Sequence, residues 1–158
     1  MAKHWSNDTA LVDALSGSLY AALPLLPKRL IRVDAITREF NMPFSHIQII
    51  CMLSAGEMTI GEISTGLGIA KPNITPLLDA LNERGILERC RSEKDRRIVN
   101  VRLLPQGREL AEQLQQSICG QVKNWPENFS TSDIKRLNNA LAYLIEMSRR
   151  LSDAERQD

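Results

Sequence analysis

The hydrophobic pattern of this chain changes its period at Gly85, and this change constrains the fold more than any other feature. Residues 71–84 place apolar side chains at the three- and four-residue spacing of an amphipathic helix. Residues 86–91 and 98–103 instead alternate roughly between apolar and polar side chains, as strands do. The polar and charged residues 92–97 lie between these two runs. The sequence therefore predicts a helix, closed by Gly85, and then a β-hairpin.

The rest of the chain has helical periodicity, and glycines and prolines mark where helices begin and end. Pro24 and Pro27 should interrupt the first helical segment, because proline lacks the backbone N–H that a helix interior needs. Thr59 is the expected N-cap of a short helix that stops near Gly66. The predicted helices cover, in chain order, about 7–40, 43–56, 59–66, 71–84, 105–121 and 130–151. The predicted fold class is therefore mainly α, with a small β-hairpin wing.

This order of elements predicts a winged helix-turn-helix flanked by N- and C-terminal dimerisation helices. We expect residues 1–40 to form an N-terminal helical dimerisation segment, 41–104 a winged helix-turn-helix DNA-binding domain, and 105–158 a C-terminal helical dimerisation segment. The winged core is too small to cover the apolar stripes of both outer segments, so a second copy of the chain is the simplest cover. The alternative is that these helices pack only on their own chain.

A short helix, a glycine-containing turn over residues 66–70 and a second amphipathic helix are typical of a helix-turn-helix. In this motif the N-terminal part of the second helix meets base edges in the major groove of DNA. Asparagine can pair with adenine, threonine can offer its hydroxyl or its methyl, and a lysine at the helix start can meet a phosphate. The candidate DNA-binding residues of this helix are Lys71, Pro72, Asn73, Thr75 and Pro76. Taken alone, the pattern fits an ordinary surface helix equally well.

The hairpin concentrates positive charge in a chain whose formal net charge is only +1. Between residues 89 and 97 the basic residues are Arg89, Arg91, Lys94, Arg96 and Arg97, and the acidic ones are Glu93 and Asp95. We predict that Lys94, Arg96 and Arg97 contact DNA, because arginines of a wing can enter a narrow A·T-rich minor groove. Asp95 and Arg91 would support the wing. The alternative is a charged, solvated hairpin tip.

These segments together resemble the winged helix-turn-helix of MarR-type regulators. The resemblance rests on residues 59–63, 67–79, 81 and 85–89 for the helix-turn-helix, and on 94–97, 99–103 and 105–107 for the wing and the next helix. It implies a homodimer whose outer helices interlock and whose winged domains bind a palindromic operator in double-stranded DNA. It also implies repression, or less often activation, and release by a small, often aromatic effector bound between the dimer base and the winged domain.

The recognition helix and the start of the second helix each carry residues that matter for the DNA-binding and effector-binding roles implied by the resemblance. Many members of the family carry an arginine in the recognition helix where this chain has Pro76, so an obvious guanine reader is missing. Pro76 also removes the hydrogen bond that its N–H would make to the Pro72 carbonyl, which should loosen the first turns. Met42 and His46 lie near the expected effector pocket of the family and are candidate ligand-binding residues. For His46 the sequence favours an ordinary surface histidine over a ligand-binding one.

Composition favours a cytoplasmic protein without metal or cofactor. The three cysteines, Cys51, Cys90 and Cys119, are widely spaced and odd in number, which fits reduced thiols in a cytosol. Cys51 is flanked by apolar residues and is expected in the core. Neither histidine lies at ligand spacing from a cysteine. No apolar run is expected to approach the roughly 20 residues of a membrane span, and the N-terminus lacks the order of a secretory signal.

The leading hypothesis is therefore a transcriptional regulator that binds specific sequences of double-stranded DNA. The main alternative is a winged-helix module that binds protein instead, and the basic hairpin is the feature that separates the two. A protein-docking wing has no need of four arginines and a lysine around its tip. An enzyme is not expected, because the sequence shows no phosphate-binding glycine loop, metal constellation or nucleophile–base signature.

Overall fold

The computed structural model describes residues 8–22, 25–91, 98–125, 127 and 129–154. The chain divides into two compact units, with the boundary between Asn41 and Met42. The described helices are α1 (Thr9–Ala22), α2 (Val33–Glu39), α3 (Phe44–Leu53), α4 (Ile60–Leu67), α5 (Lys71–Glu83), α6 (Pro105–Lys123) and α7 (Thr131–Ala154). The strands are β1 (Met58–Thr59), β2 (Leu87–Arg91) and β3 (Val99–Leu103). The fold is mainly helical with a small sheet, as the sequence predicts.

The first unit contains α1, a π-helical turn over Leu26–Leu30, and α2. The turn lies where the sequence predicts a break, because Pro27 has no N–H for the regular helical ladder. The Arg29 amide still donates to the Leu25 carbonyl at 2.8 Å, as in a regular α-helix. The leucines of α1 are largely exposed: Leu11 by 51%, Leu15 by 49% and Leu19 by 56%. This unit therefore presents an apolar helix face that its own residues do not cover.

The helical stretch Thr9–Glu39 is long and apolar enough, by length and composition, to cross a membrane. The expectation that no segment approaches such a span is therefore wrong. Core helices of soluble proteins and N-terminal signals pass the same test. Within the described residues, the stretch is interrupted by the π-helical turn and carries Lys28, Arg29 and Arg32 in its second half.

The helix-turn-helix of the second unit is fixed by local hydrogen bonds at both ends of α4. Thr59 and Glu62 form the expected capping box: the Glu62 amide donates to Thr59 Oγ1 at 3.1 Å, and the Thr59 amide donates to Glu62 Oε2 at 2.8 Å. At the other end, Gly68 takes a left-handed conformation with φ of 63°, which favours glycine. Ser64 Oγ then donates to the Ile69 carbonyl at 2.6 Å and secures the turn into α5.

The wing is part of a three-stranded antiparallel sheet in the order β1-β3-β2. The predicted hairpin pairs Leu87 with Leu103 at its base and Arg91 with Val99 at its outer end. The third strand, β1, pairs Met58 with Val101, and the sequence did not predict it. Because β1 directly precedes α4, this pairing ties the wing to the first helix of the helix-turn-helix.

The core of the second unit is aliphatic and joins the helix-turn-helix to the sheet. Its buried apolar residues are Met42, Ile47, Ile49, Ile50, Leu53, Ile63, Ile74, Leu78, Leu81, Ile86, Leu87, Val101, Leu103 and Leu114. Cys51 is exposed rather than part of this core, which corrects the expectation from its apolar neighbours. It follows Ile50 by one residue, and about 100° of helical rotation turns it away from the buried stripe of α3.

Gly107, in the first turn of α6, lies directly against the base of the wing. A Cβ added there would lie 2.0 Å from the Ile86 carbonyl oxygen and 3.0 Å from its carbon. The same oxygen accepts a hydrogen bond from the Leu104 amide at 3.0 Å. Only a residue without a side chain allows α6 to approach the Ile86 backbone this closely.

Candidate nucleic-acid interface

The recognition helix α5 is anchored by three side chains with no exposed surface, Ile74, Leu78 and Leu81. Its opposite side faces outward over the first two turns. The sequence-predicted residues Lys71, Pro72, Asn73, Thr75 and Pro76 are all exposed there. The structure therefore brings these five residues together on one accessible segment at the helix start.

The helix is continuous through Pro76, from Lys71 to Glu83, so the expected loosening leaves no break. Pro72 stands in the first turn, where its missing N–H costs nothing. The Thr75 hydroxyl donates to the Lys71 carbonyl at 3.3 Å and supplies a side-chain bond in the turn that contains Pro76.

Lys71 extends across the turn toward the start of α4. A Cβ placed on Gly61 would meet Lys71 Cε at 3.7 Å and Nζ at 3.9 Å, so the ammonium group lies beside the first turn of α4. An ammonium group at this place attracts a DNA phosphate. The start of α4 adds less, because the capping box already engages the Glu62 amide and places the Glu62 carboxylate there.

An ion pair that the sequence did not predict links the wing to the recognition helix. Arg89 Nη1 of β2 lies 2.8 Å from Asp79 Oδ1 of α5, and its Nη2 donates to the Thr75 carbonyl at 3.3 Å. The sequence indicates only that Arg89 adds positive charge to the hairpin, whereas its guanidinium is engaged inside the domain. The two residues are ten positions apart across a helix end and a strand, so no periodic pattern relates them.

The outer end of the wing comprises residues 92–97. Lys94, Asp95, Arg96 and Arg97 fall outside the described residues, and their predicted contacts stay predictions. Arg91, the last described residue of β2, is exposed. Nearer the base, Arg102 pairs with Glu88 at 2.7 Å, and this hydrogen-bonded carboxylate raises the pKa of the guanidinium.

The two candidate ligand residues are buried: Met42 is 3% exposed and His46 is 8% exposed. The favoured interpretation of His46 as a surface histidine is therefore wrong, because His46 lies on the buried side of α3 with Ile47 and Ile50. Burial lowers the pKa of His46, and the positive charge of Arg84 lowers it further. Its buried Nδ1 has no hydrogen-bond partner among the described residues.

Two cavities of the second unit meet at Cys51. The first, of about 610 Å³, lies between the end of α3, β3 and α6, and its lining includes Glu57, Arg102, Arg108 and Ile118. The second, of about 690 Å³, lies between α7 and the α3–α4 pair, and its lining includes Met52, Met58, Leu144 and Arg149. Neither Met42 nor His46 lines these two cavities.

Comparison with known proteins relates the chain to regulators. The MarR family profile matches residues 40–98, which span the helix-turn-helix and most of the hairpin. An uncharacterised HTH-type transcriptional regulator of Bacillus subtilis, YsmB, is 30% identical over 89 residues, which are 56% of this chain. A biofilm growth-associated repressor of Agrobacterium fabrum is 31% identical over 72 residues, which are 46% of this chain. In each case the match spans 61% of the relative's own length.

Solved structures share the fold over most of the chain. The apo form of MarR from E. coli superposes with a TM-score of 0.63 at 23% identity, covering 81% of this chain and 94% of MarR. NadR in complex with 4-hydroxyphenylacetate superposes with a TM-score of 0.62 at 21% identity, covering 91% of this chain and 95% of NadR. The helix-turn-helix and the hairpin are thus similar in sequence to the MarR family, and the winged helix-turn-helix fold of these solved structures is shared over most of the chain.

Proposed function

We propose that the protein is a cytoplasmic transcriptional regulator that binds specific sequences of double-stranded DNA, without catalytic activity. The observation that carries this proposal is the exposed N-terminal segment of α5, anchored from behind by Ile74, Leu78 and Leu81. A helix held this way can enter the major groove while arginines of the adjacent wing enter the minor groove. The DNA contacts are those expected from the sequence: Lys71, Pro72, Asn73, Thr75 and Pro76 on α5, with Lys94, Arg96 and Arg97 on the wing.

We propose that the protein represses transcription rather than activating it. This proposal is supported by the relative from Agrobacterium fabrum, whose name describes it as a repressor. A helix-turn-helix that blocks an operator needs no further surface, whereas an activator must also contact the transcription machinery. A winged-helix module that binds only protein remains the competing function, and the basic hairpin argues against it.

The first experiment is a salt titration of binding to random-sequence duplex DNA. Each phosphate neutralised by a lysine or arginine contributes about −0.9 to the slope of log K against log salt. We expect a steep slope, and a slope smaller by about 2 in the Arg96→Ala/Arg97→Ala double variant. A Lys135→Ala/Arg136→Ala variant on α7 removes the same charge away from α5 and the wing and is the matched control. Absence of binding at low salt would favour the protein-binding module instead.

We propose that the functional unit is a homodimer built on α1 and α7. The large apolar residues of α7 are exposed in the single chain, with Leu144 at 53%, Ile145 at 55% and Leu151 at 64%. Apolar surface of this extent is unfavourable in water, and a second copy would bury it. Sedimentation equilibrium at micromolar concentration should give twice the chain mass of 17.8 kDa. A monomer at that concentration would contradict the proposal.

A small aromatic effector is the final part of the proposed function. Both cavities are large enough for such a molecule, and both combine apolar lining with basic side chains. Arg102 and Arg108 line the first cavity, and Arg149 lines the second. The NadR complex with 4-hydroxyphenylacetate supplies the probe. Repeating the DNA-binding assay with millimolar 4-hydroxyphenylacetate should weaken binding, and unchanged affinity would exclude this compound as effector.

A further inference from the structure

The outward side of α5 carries an unusual combination of side chains for a surface that reads DNA. Pro72, Thr75, Pro76 and Asp79 follow the i, i+3, i+4, i+7 spacing and therefore share one side of the helix. The first three are exposed. We call these three the proline–threonine strip. Neither proline ring has a hydrogen-bonding group, and Pro76 has no backbone N–H.

The polar groups around this strip are already engaged within the domain. The Thr75 hydroxyl donates its proton to the Lys71 carbonyl, and the Thr75 carbonyl accepts from Arg89 Nη2. The Asp79 carboxylate pairs with Arg89 at 2.8 Å. What the strip can offer a ligand is therefore mainly apolar: two pyrrolidine rings and the Thr75 methyl group. Asn73, about 100° round the helix from Pro72, adds an exposed amide.

In the major groove, the C5-methyl group of thymine is the apolar group that distinguishes one base pair from another. An asparagine amide matches the donor and acceptor edge of adenine. We infer that the proline–threonine strip reads thymine methyl groups and that Asn73 reads an adenine, so that the operator half-site is rich in A·T pairs. This inference rests on the proposed DNA-binding function and specifies its ligand.

The expected size of the effect follows from the burial of methyl groups. Removing one buried methyl-sized apolar group weakens an interaction about fourfold. With at least one thymine methyl read in each half-site of a two-fold operator, removing all of them should weaken binding at least about tenfold.

The test removes methyl groups from DNA without changing its base pairing. The wild-type protein first enriches duplexes from a pool with 20 random base pairs. The enriched pool is then amplified twice, once with dTTP and once with dUTP, which replaces every thymine by uracil. Fluorescence anisotropy at one salt concentration measures both affinities. We expect at least about tenfold weaker binding to the uracil form, and equal binding of both forms of the unselected pool.

A protein variant then separates methyl contacts from changes in DNA shape. Thr75→Ser keeps the hydroxyl and removes the methyl in both copies of a dimer, so the ratio between thymine and uracil affinities should fall about fourfold for each half-site. Thr131→Ser, at the start of α7, makes the same chemical change away from α5 and should keep the full ratio.

The outcomes distinguish this inference from the proposed function. Equal affinity for the thymine and uracil forms of the enriched pool would overturn the methyl reading while leaving DNA binding in place. A ratio that survives both in Thr75→Ser and in a Pro72→Ala/Pro76→Ala double variant would place the discrimination outside the strip and would also overturn the inference. Failure to bind any duplex at low salt would remove the proposed function, and this inference with it.

Discussion

Replacing Gly107 by alanine is expected to lower the free energy of unfolding by about 3–5 kcal/mol, a large part of the total stability of a typical domain. The new Cβ would lie 2.0 Å from the Ile86 carbonyl oxygen, which is backbone and cannot rotate away. The first turn of α6 would have to move, and the hydrogen bond from the Leu104 amide to that oxygen would break. Urea denaturation followed by far-ultraviolet circular dichroism measures the loss.

Gly61→Ala is the matched control for this substitution. Gly61 is also a helical glycine of the second unit, but its added Cβ would make only ordinary contacts of 3.7–3.9 Å with Lys71 and Thr59. Alanine favours helix over glycine by up to about 1 kcal/mol, so this variant should be as stable as wild type or slightly more stable. Equal stability of Gly107→Ala and Gly61→Ala would show that α6 does not approach the wing as described.

Replacing Arg89 by alanine is expected to weaken DNA binding about 10- to 100-fold while lowering the free energy of unfolding by only about 1 kcal/mol. The stability effect is small because the ion pair with Asp79 is partly exposed, at 31% and 49% of the two side chains. The effect on binding is larger because an unpaired Asp79 carboxylate would face the DNA phosphates. Removal of Arg89 also breaks its hydrogen bond to the Thr75 carbonyl of α5. Fluorescence anisotropy with a DNA duplex measures the binding affinity, and urea denaturation measures the free energy of unfolding.

A second substitution tests whether the unpaired Asp79 carboxylate causes the loss of DNA affinity in Arg89→Ala. Asp79→Asn in the Arg89→Ala background removes the carboxylate and should recover most of the lost affinity. If the double variant binds as weakly as Arg89→Ala, Arg89 itself contacts the DNA and its pairing with Asp79 is incidental. Arg38→Ala breaks an exposed ion pair of α2, with Asp34, and should leave DNA binding unchanged.

The helices and the hairpin could be predicted from the sequence because local signals determine them. Such signals depend only on the few residues around them. In the structure, helices begin or end at four of them: the Thr59 cap, Gly68, Gly85 and Pro105. The strand β1 could not be predicted in this way. Two residues are too few to show an alternating pattern, and Met58 becomes a strand residue only by pairing with Val101, 43 positions further on.

The same distinction applies to the candidate site. The exposed residues of α5 follow from its helical wheel, because Ile74, Leu78 and Leu81 define the buried side. The partners of Arg89 and the burial of His46 depend on which elements pack together in the fold. The composition of the hairpin does not show that Arg89 is paired, and the residues next to His46 in sequence do not show that it is buried. Cys51 was misplaced for a related reason: apolar neighbours in sequence indicate the core only when they share the same helix face.

The separation of anchoring and reading residues on α5 also bears on how this protein could evolve. Three fully buried side chains anchor the helix from behind, whereas Asn73, Thr75 and Pro76 in front of it are exposed. Selection removes substitutions chiefly when they push a protein below its stability threshold. Changes at Asn73, Thr75 or Pro76 therefore leave the scaffold intact, and the operator preference can drift between lineages faster than the fold that carries it.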